Sequence, residues 1–231
     1  MNNLLARLHD TLFPRSCNMC GRRLGIGEHT ICTVCNISLP RTGYNATIDD
    51  NQMARMFWGQ IPVEHCAALF FYKAGSEASQ LVYNLKYNDS PETAEFLGGM
   101  LAEEYLSCGF FEGIDVIVAV PLSRRRMYER GYNQSYYIAR GISRVTGIRI
   151  DDKAVTRTRF QESQTRKQRW DRTANVDHAF RLIAPGRMKN SHILLVDDVA
   201  TTGATLCACA KEIEKAGNTR FSILTLGFAK P

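Results

Sequence analysis

The sequence predicts an α/β protein, a parallel sheet flanked by helices, preceded by a small metal-bound module. Three observations carry that prediction. Short apolar runs, among them Ile114–Val120 and Ile193–Val196, alternate with segments of helical apolar spacing, the order that yields strand–helix–strand units and a parallel sheet. Two Cys-x-x-Cys knuckles, Cys17/Cys20 and Cys32/Cys35, lie near the N-terminus. The run Ile193–Leu206 passes from four apolar residues through Asp197-Asp198 into a Thr/Gly loop ahead of a helical pattern, and open α/β sheets bind ligands at such strand ends.

Length and charge bound the answer. The 231 residues suit one α/β domain plus a small attachment, since domains usually run ~100–200 residues. We read residues 1–40 as an N-terminal helix and cysteine module, 41–66 as a connector, and 67–231 as the α/β domain. With 45% apolar residues the chain can bury a proper core. The net charge of +6 is moderate but clustered, in Arg124, Arg125, Arg126 and Arg130, and in Arg157, Arg159, Arg166, Lys167, Arg169 and Arg172. Such clusters face a polyphosphate, a nucleic acid or only solvent. No stretch approaches the ~20 apolar residues of a membrane span. Leu4, Leu5, Leu8, Leu12 and Phe13 have helical spacing, but Arg7, His9 and Asp10 interrupt any signal-peptide core. That segment reads as a docking helix and the chain as cytoplasmic, with a membrane-peripheral role as the alternative.

The cysteine knuckles are separated by eleven residues, within the range of four-thiolate zinc sites. Gly21, Gly25 and Gly27 lie between them, where tight turns are needed. A segment this short has too little apolar surface to fold alone, so metal supplies its folding energy. All four positions come from protein, which makes the expected zinc structural. Cys66, Cys108, Cys207 and Cys209 have no such pairing and read as buried thiols.

Along the rest of the chain, Ala67–Tyr72 reads as a strand and Ser76–Tyr87 as a helix, with Leu81, Val82 and Leu85 on one face. Pro91 opens a second helix. Ile114–Val120 is a strand, Gln134–Val145 a helix, and Ile148–Ile150 a short strand. Ala179–Ile183 and Ile193–Val196 follow as strands, then a helix at Thr205–Ala216 and a last strand at Phe221–Gly227.

Two segments carry chemistry. In Asp197 to Thr205, helix-start amides and small hydroxyls form an anion cradle. The two adjacent acids cannot serve the same anion; they suit hydroxyl groups such as a ribose diol, or a metal. The second segment runs from Pro121 to Gln134, Pro-Leu-Ser-Arg-Arg-Arg-Met-Tyr-Glu-Arg-Gly-Tyr-Asn-Gln. It reads as a basic, Gly-containing loop between a strand and a helix, and its arginines offer planar multi-donor contacts that never deprotonate.

The run Ile193–Leu206 resembles the phosphoribosyl-pyrophosphate signature of type I phosphoribosyltransferases. With Pro121-Leu-Ser-Arg-Arg-Arg, Arg130-Gly-Tyr-Asn-Gln, Leu85-Lys86-Tyr87, the set Gln164, Arg172, Asn175, Val176, Ala179 and Phe180, and the four-cysteine finger, it resembles the ComF/GntX-type phosphoribosyltransferase family from Pro14 to Phe228. Tyr132 stands where phenylalanine is commoner and Lys167 where leucine is frequent.

This resemblance implies a type I phosphoribosyltransferase-like sheet binding phosphoribosyl pyrophosphate with Mg²⁺. It gives Asp197 and Asp198 the ribose hydroxyls, and Thr201, Thr202, Gly203, Ala204 and Thr205 the 5-phosphate, with Val199 and Ala200 completing the loop. Pro121, Leu122, Ser123, Arg124, Arg130, Gly131, Asn133 and Gln134 take the pyrophosphate, and Asp197, Asp198 and Arg130 the catalytic roles. Residues 157–176 stand where a lid lies, offering Gln164, Arg169, Arg172 and Asn175. The implied reaction displaces pyrophosphate at C1 with a nitrogen nucleophile; no residue announces itself as general base and the acceptor is silent. The family is associated with DNA uptake and competence. The alternative is therefore a non-catalytic factor that binds single-stranded DNA or a competence protein.

Overall fold

A computed structural model describes residues 15–88, 90–158 and 179–230. The docking helix expected at residues 4–13 and the lid residues Gln164, Arg169, Arg172 and Asn175 lie outside them. Helices α1 (Thr33–Ser38) and α2 (Gln52–Arg55) precede strand β1 (Val63–Phe71); α3 (Glu77–Tyr87) and α4 (Pro91–Tyr105) lead to β2 (Val116–Ala119). Next come α5 (Arg124–Arg130), α6 (Gln134–Thr146), the short β3 (Val155–Arg157) and β4 (Phe180–Leu182), and α7 (Pro185–Met188). The chain continues through β5 (His192–Ala200), α8 (Ala204–Glu214) and β6 (Arg220–Phe228).

Four strands form a sheet in the order β1-β6-β5-β2, every neighbouring pair parallel. Successive side chains of a strand point to opposite faces. Ile193, Leu194, Leu195 and Val196 all have 0% exposure, so both faces of β5 are covered. That is why its apolar run is continuous rather than alternating. The expected strand Ile148–Ile150 is reduced to one parallel bridge, Ile117 to Ile150. β3 and β4 form a separate antiparallel ribbon.

The helix ends follow their sequence signals. Ser76 and Ser123 accept amides of Ser79 and Arg126 as N-caps, and Asn133 caps α6 by accepting the Ser135 amide. Helices α4 and α6 touch backbone to backbone: a Cβ on Gly98 would sit 2.1 Å from the Ile138 carbonyl oxygen, and one on Gly141 would sit 2.0 Å from that of Glu95.

The stretch before β1 does more than its mixed composition implies. The strand begins four residues earlier than expected, at Val63, and Met53 and Phe57 are fully buried. Asn51 organises this stretch. Its Oδ1 accepts the Met53 and Ala54 amides at 2.9 Å, and its Nδ2 donates to the Cys66 carbonyl at 2.8 Å. Without apolar periodicity such a segment is hard to read, because burial of a few large side chains and one asparagine hold it in place.

Candidate active site and cysteine cluster

Pairing of β5 with β6 continues past Val196, through Asp197 opposite Thr225 to Ala200 opposite Phe228. The acids thus sit within the last part of the strand rather than beyond its end. Aspartate is depleted in strands, so the Asp-Asp pair disguises this extension. Asp197 accepts the Ser135 hydroxyl of α6 at 2.8 Å and the Asp198 amide at 2.9 Å. Asp198 instead meets the Lys86 ammonium of α3 at 3.0 Å. Burial among protein atoms, and then the charge of Asp198, push the Asp197 carboxyl up to about 7; the two hydrogen bonds and Lys86 pull the other way.

Both acids open into a cavity of about 220 Å³ whose wall includes Val199, Thr201 and Thr205 from the end of β5 and the loop after it. A smaller recess of about 30 Å³ is bounded by Ala200, Thr202, Gly203 and Ala204. Gly203 stands at φ +71° and caps α8, an eleven-residue helix whose positive end faces this recess. A side chain there would meet Met56 Sδ at 2.7 Å and Phe57 Cε1 at 2.8 Å. The loop therefore rests on the segment ahead of β1.

The basic segment is not a loop. Residues 124–130 form helix α5, capped by Ser123 and ended by Gly131 in the left-handed region at φ 74°. Helical spacing sorts its arginines. Arg126 and Arg130 line the cavity with Leu122, and Arg130 donates to the Gln134 side-chain oxygen at 2.9 Å. Arg125 pairs with Glu129 at 2.7 Å. Arg124 lines an adjoining cavity of about 660 Å³. Pro121, Gly131, Asn133 and Gln134 shape the turn; Asn133 Nδ2 donates to the Val120 carbonyl at 3.2 Å.

Five cavity residues were given no site role from the sequence, Tyr72, Lys86, Val120, Ser135 and Arg157, and Arg126 was marked there only as one of the basic cluster. Lys86 had a signal in Leu85-Lys86-Tyr87, and Ser135 directly follows Asn133-Gln134. Arg157 stacks over Phe180, 5.2 Å from its centroid. Burial and then the charge of Arg126 lower its pKa, against the pull of Asp197. Tyr132 donates to the Leu85 carbonyl at 2.6 Å, tying the end of α3 to the turn after α5.

The sulfurs of Cys17, Cys20, Cys32 and Cys35 lie within 4.8 Å of one another and could hold a metal ion. Cys20 and Cys32 Sγ are 3.9 Å apart, close to the ~3.8 Å edge of a tetrahedron with ~2.3 Å metal–sulfur bonds. The Cys32 and Cys35 amides point at the sulfurs of Cys17 and Cys32, at 3.3 and 3.4 Å. Glu28 braces the turn, accepting the Gly25 and Thr33 amides at 2.7 and 2.6 Å, which hold its carboxyl down at about 2. Asn18, between the first two cysteines, donates to Thr93 Oγ1 of α4 at 2.8 Å and accepts Asn84 Nδ2 of α3 at 2.7 Å. Among the described residues no helix is long and apolar enough to cross a membrane.

No protein-family model matches the chain. Among solved structures it is similar to glutamine phosphoribosylpyrophosphate amidotransferase from B. subtilis, at 21% identity over 56% of this chain and 25% of that one. The TM-score of 0.38 is too low to carry an assignment. Competence protein F of Haemophilus influenzae is 34% identical over 104 residues, 45% of each chain. The DNA utilization protein YhgH of Escherichia coli K12 is 32% identical over 214 residues, 88% of this chain and 92% of that protein. With a relative matched over nearly its whole length and the competence proteins beside it, the chain belongs to the ComF-type, phosphoribosyltransferase-like family.

Proposed function

We propose that the chain binds phosphoribosyl pyrophosphate with Mg²⁺ in the cavity at the end of β5, and transfers the phosphoribosyl group to a nitrogen acceptor in the service of DNA utilization. One observation carries this reading: an acid pair and three arginines, Arg126, Arg130 and Arg157, line one cavity, and a glycine-capped helix start lines the recess that adjoins it through Asp197, Thr201 and Thr205. Asp197 and Asp198 accept the ribose hydroxyls, and the amides and hydroxyls from Thr201 to Thr205 hold the 5-phosphate. Arg126 and Arg130 face the diphosphate. As the nitrogen lone pair forms its bond to C1, the C1–O bond breaks and its electron pair leaves with the diphosphate, stabilised by the fixed arginine charges; the nitrogen's proton passes to solvent. Magnesium, when bound on the donor's oxygens, adds positive charge beside the leaving group. Asp197 and Asp198, the carboxylates on the cavity wall, would be the residues to hold it. The four thiols hold zinc in a structural role, with no position left for a substrate.

A second reading is a non-catalytic factor that binds single-stranded DNA or a protein partner. Tyr128, 92% exposed beside Arg124 and Arg125, favours it. Melting the protein with the donor and Mg²⁺, and separately with single-stranded DNA, divides the two. Donor at ~100 times its dissociation constant stabilises by ~2.7 kcal/mol. Stabilisation by DNA alone would abandon the donor site.

A further inference from the structure

The cavity beside the acid pair shares two walls, Arg126 and Arg157, with the larger one of about 660 Å³. The larger cavity is further lined by Ser123, Arg124, Arg125, Tyr128 and Thr158, and no carboxylate lines it among the described residues. Four arginines and three hydroxyl side chains, those of Ser123, Tyr128 and Thr158, therefore line it. Arg125 is partly neutralised by Glu129 at 2.7 Å. At the common wall Arg126 and Arg157 repel each other, so the boundary between the cavities carries positive charge that a second anion would relieve.

We propose that this second cavity is the acceptor subsite, and that the acceptor carries a phosphate group. The inference rests on the transferase reading above and names the substrate class which that reading leaves open. A phosphate held by Arg124 and Arg157 lies next to the donor without competing for the acid pair. The ring of Tyr128 stands at the rim, where a heterocycle attached to that phosphate finds a stacking face. Arginine suits the task because its planar fork binds phosphate through two hydrogen bonds at once.

The test uses calorimetry on the full chain, in two stages. Phosphoribosyl pyrophosphate with Mg²⁺ is titrated first; nucleoside 5′-monophosphates, the matching nucleosides and inorganic phosphate are then titrated into the donor-loaded protein. We expect each monophosphate to bind at least tenfold more tightly than its nucleoside. Arg124→Gln, loaded with donor to saturation after its own donor titration, should erase that advantage. Equal binding of nucleotide and nucleoside, or displacement of the donor by the nucleotide, overturns the subsite. So does preference for a single-stranded oligonucleotide with no response to monophosphates, which assigns the cavity to a strand. If the donor itself fails to bind while monophosphates still bind through Arg124, the transferase reading falls and the anion site stands alone.

Discussion

Asp197 links site chemistry to pH at the scale of one residue. Its carboxyl, raised from 3.8 to about 7, holds its proton more tightly folded than unfolded. Its contribution to stability is therefore complete below about pH 4 and is lost as pH rises through about 7. Asp197→Asn removes that loss, so the variant should melt higher than wild type at pH 8 and close to it at pH 4; equal melting temperatures at pH 8 would refute the raised carboxyl. For the donor the sign reverses. Ribose hydroxyls favour the ionised form, so affinity should rise several-fold from pH 6 to pH 8 in wild type and stay flat in Asp197→Asn. Lys86→Met, leaving Asp198 without its ammonium partner, should weaken the donor at least tenfold in calorimetry if that cation serves the bound state. At this scale the sequence was informative wherever site residues are chain neighbours, as from Asp197 to Thr205. It marked Lys86 only as part of a family pattern and Arg157 only as part of a charge cluster, and assigned Ser135 no role; all three reach the cavity because α3, β3 and α6 are brought there by tertiary packing.

Among elements, the crossing of α4 and α6 is the tightest constraint. Gly98 and Gly141 let two backbones touch, and a methyl at either would need about 1 Å or more of helix displacement to escape contacts of 2.0–2.1 Å. Gly141→Ala should cost about 3 kcal/mol, the upper end of overpacking, read as a lower denaturation midpoint in urea. Periodicity marked both helices but not their crossing, because a glycine within a helix shows nothing of what approaches it. Helix α5 was hidden for a different reason. Its seven residues offer no apolar stripe, and its arginine run reads as a solvated loop until the i, i+4 positions of Arg126 and Arg130 share one wall. The strand extension through Asp197 and Asp198 was masked by residue types that strands usually avoid.

Across the whole molecule, the cysteine cluster and the cavity are joined by a short path. Asn18 sits inside the first knuckle and bonds both α3 and α4, and α3 carries Lys86 to the acid pair. Stripping metal with a chelator should therefore weaken donor binding several-fold without melting the sheet, followed by calorimetry alongside far-ultraviolet circular dichroism. Cys32→Ser should do the same, and about one zinc per chain should be found in the untreated protein. Unchanged donor affinity in metal-free protein would show that the module is energetically separate. The sheet order has a further consequence, for biosynthesis. β6 lies between β1 and β5, yet it follows both in the chain. As a nascent polypeptide emerges, β1 and β5 cannot acquire their shared neighbour until every element from β1 to α8 has been translated. The apolar edge of β1 therefore waits unpaired for most of that time, a window in which a holding chaperone would have most to protect.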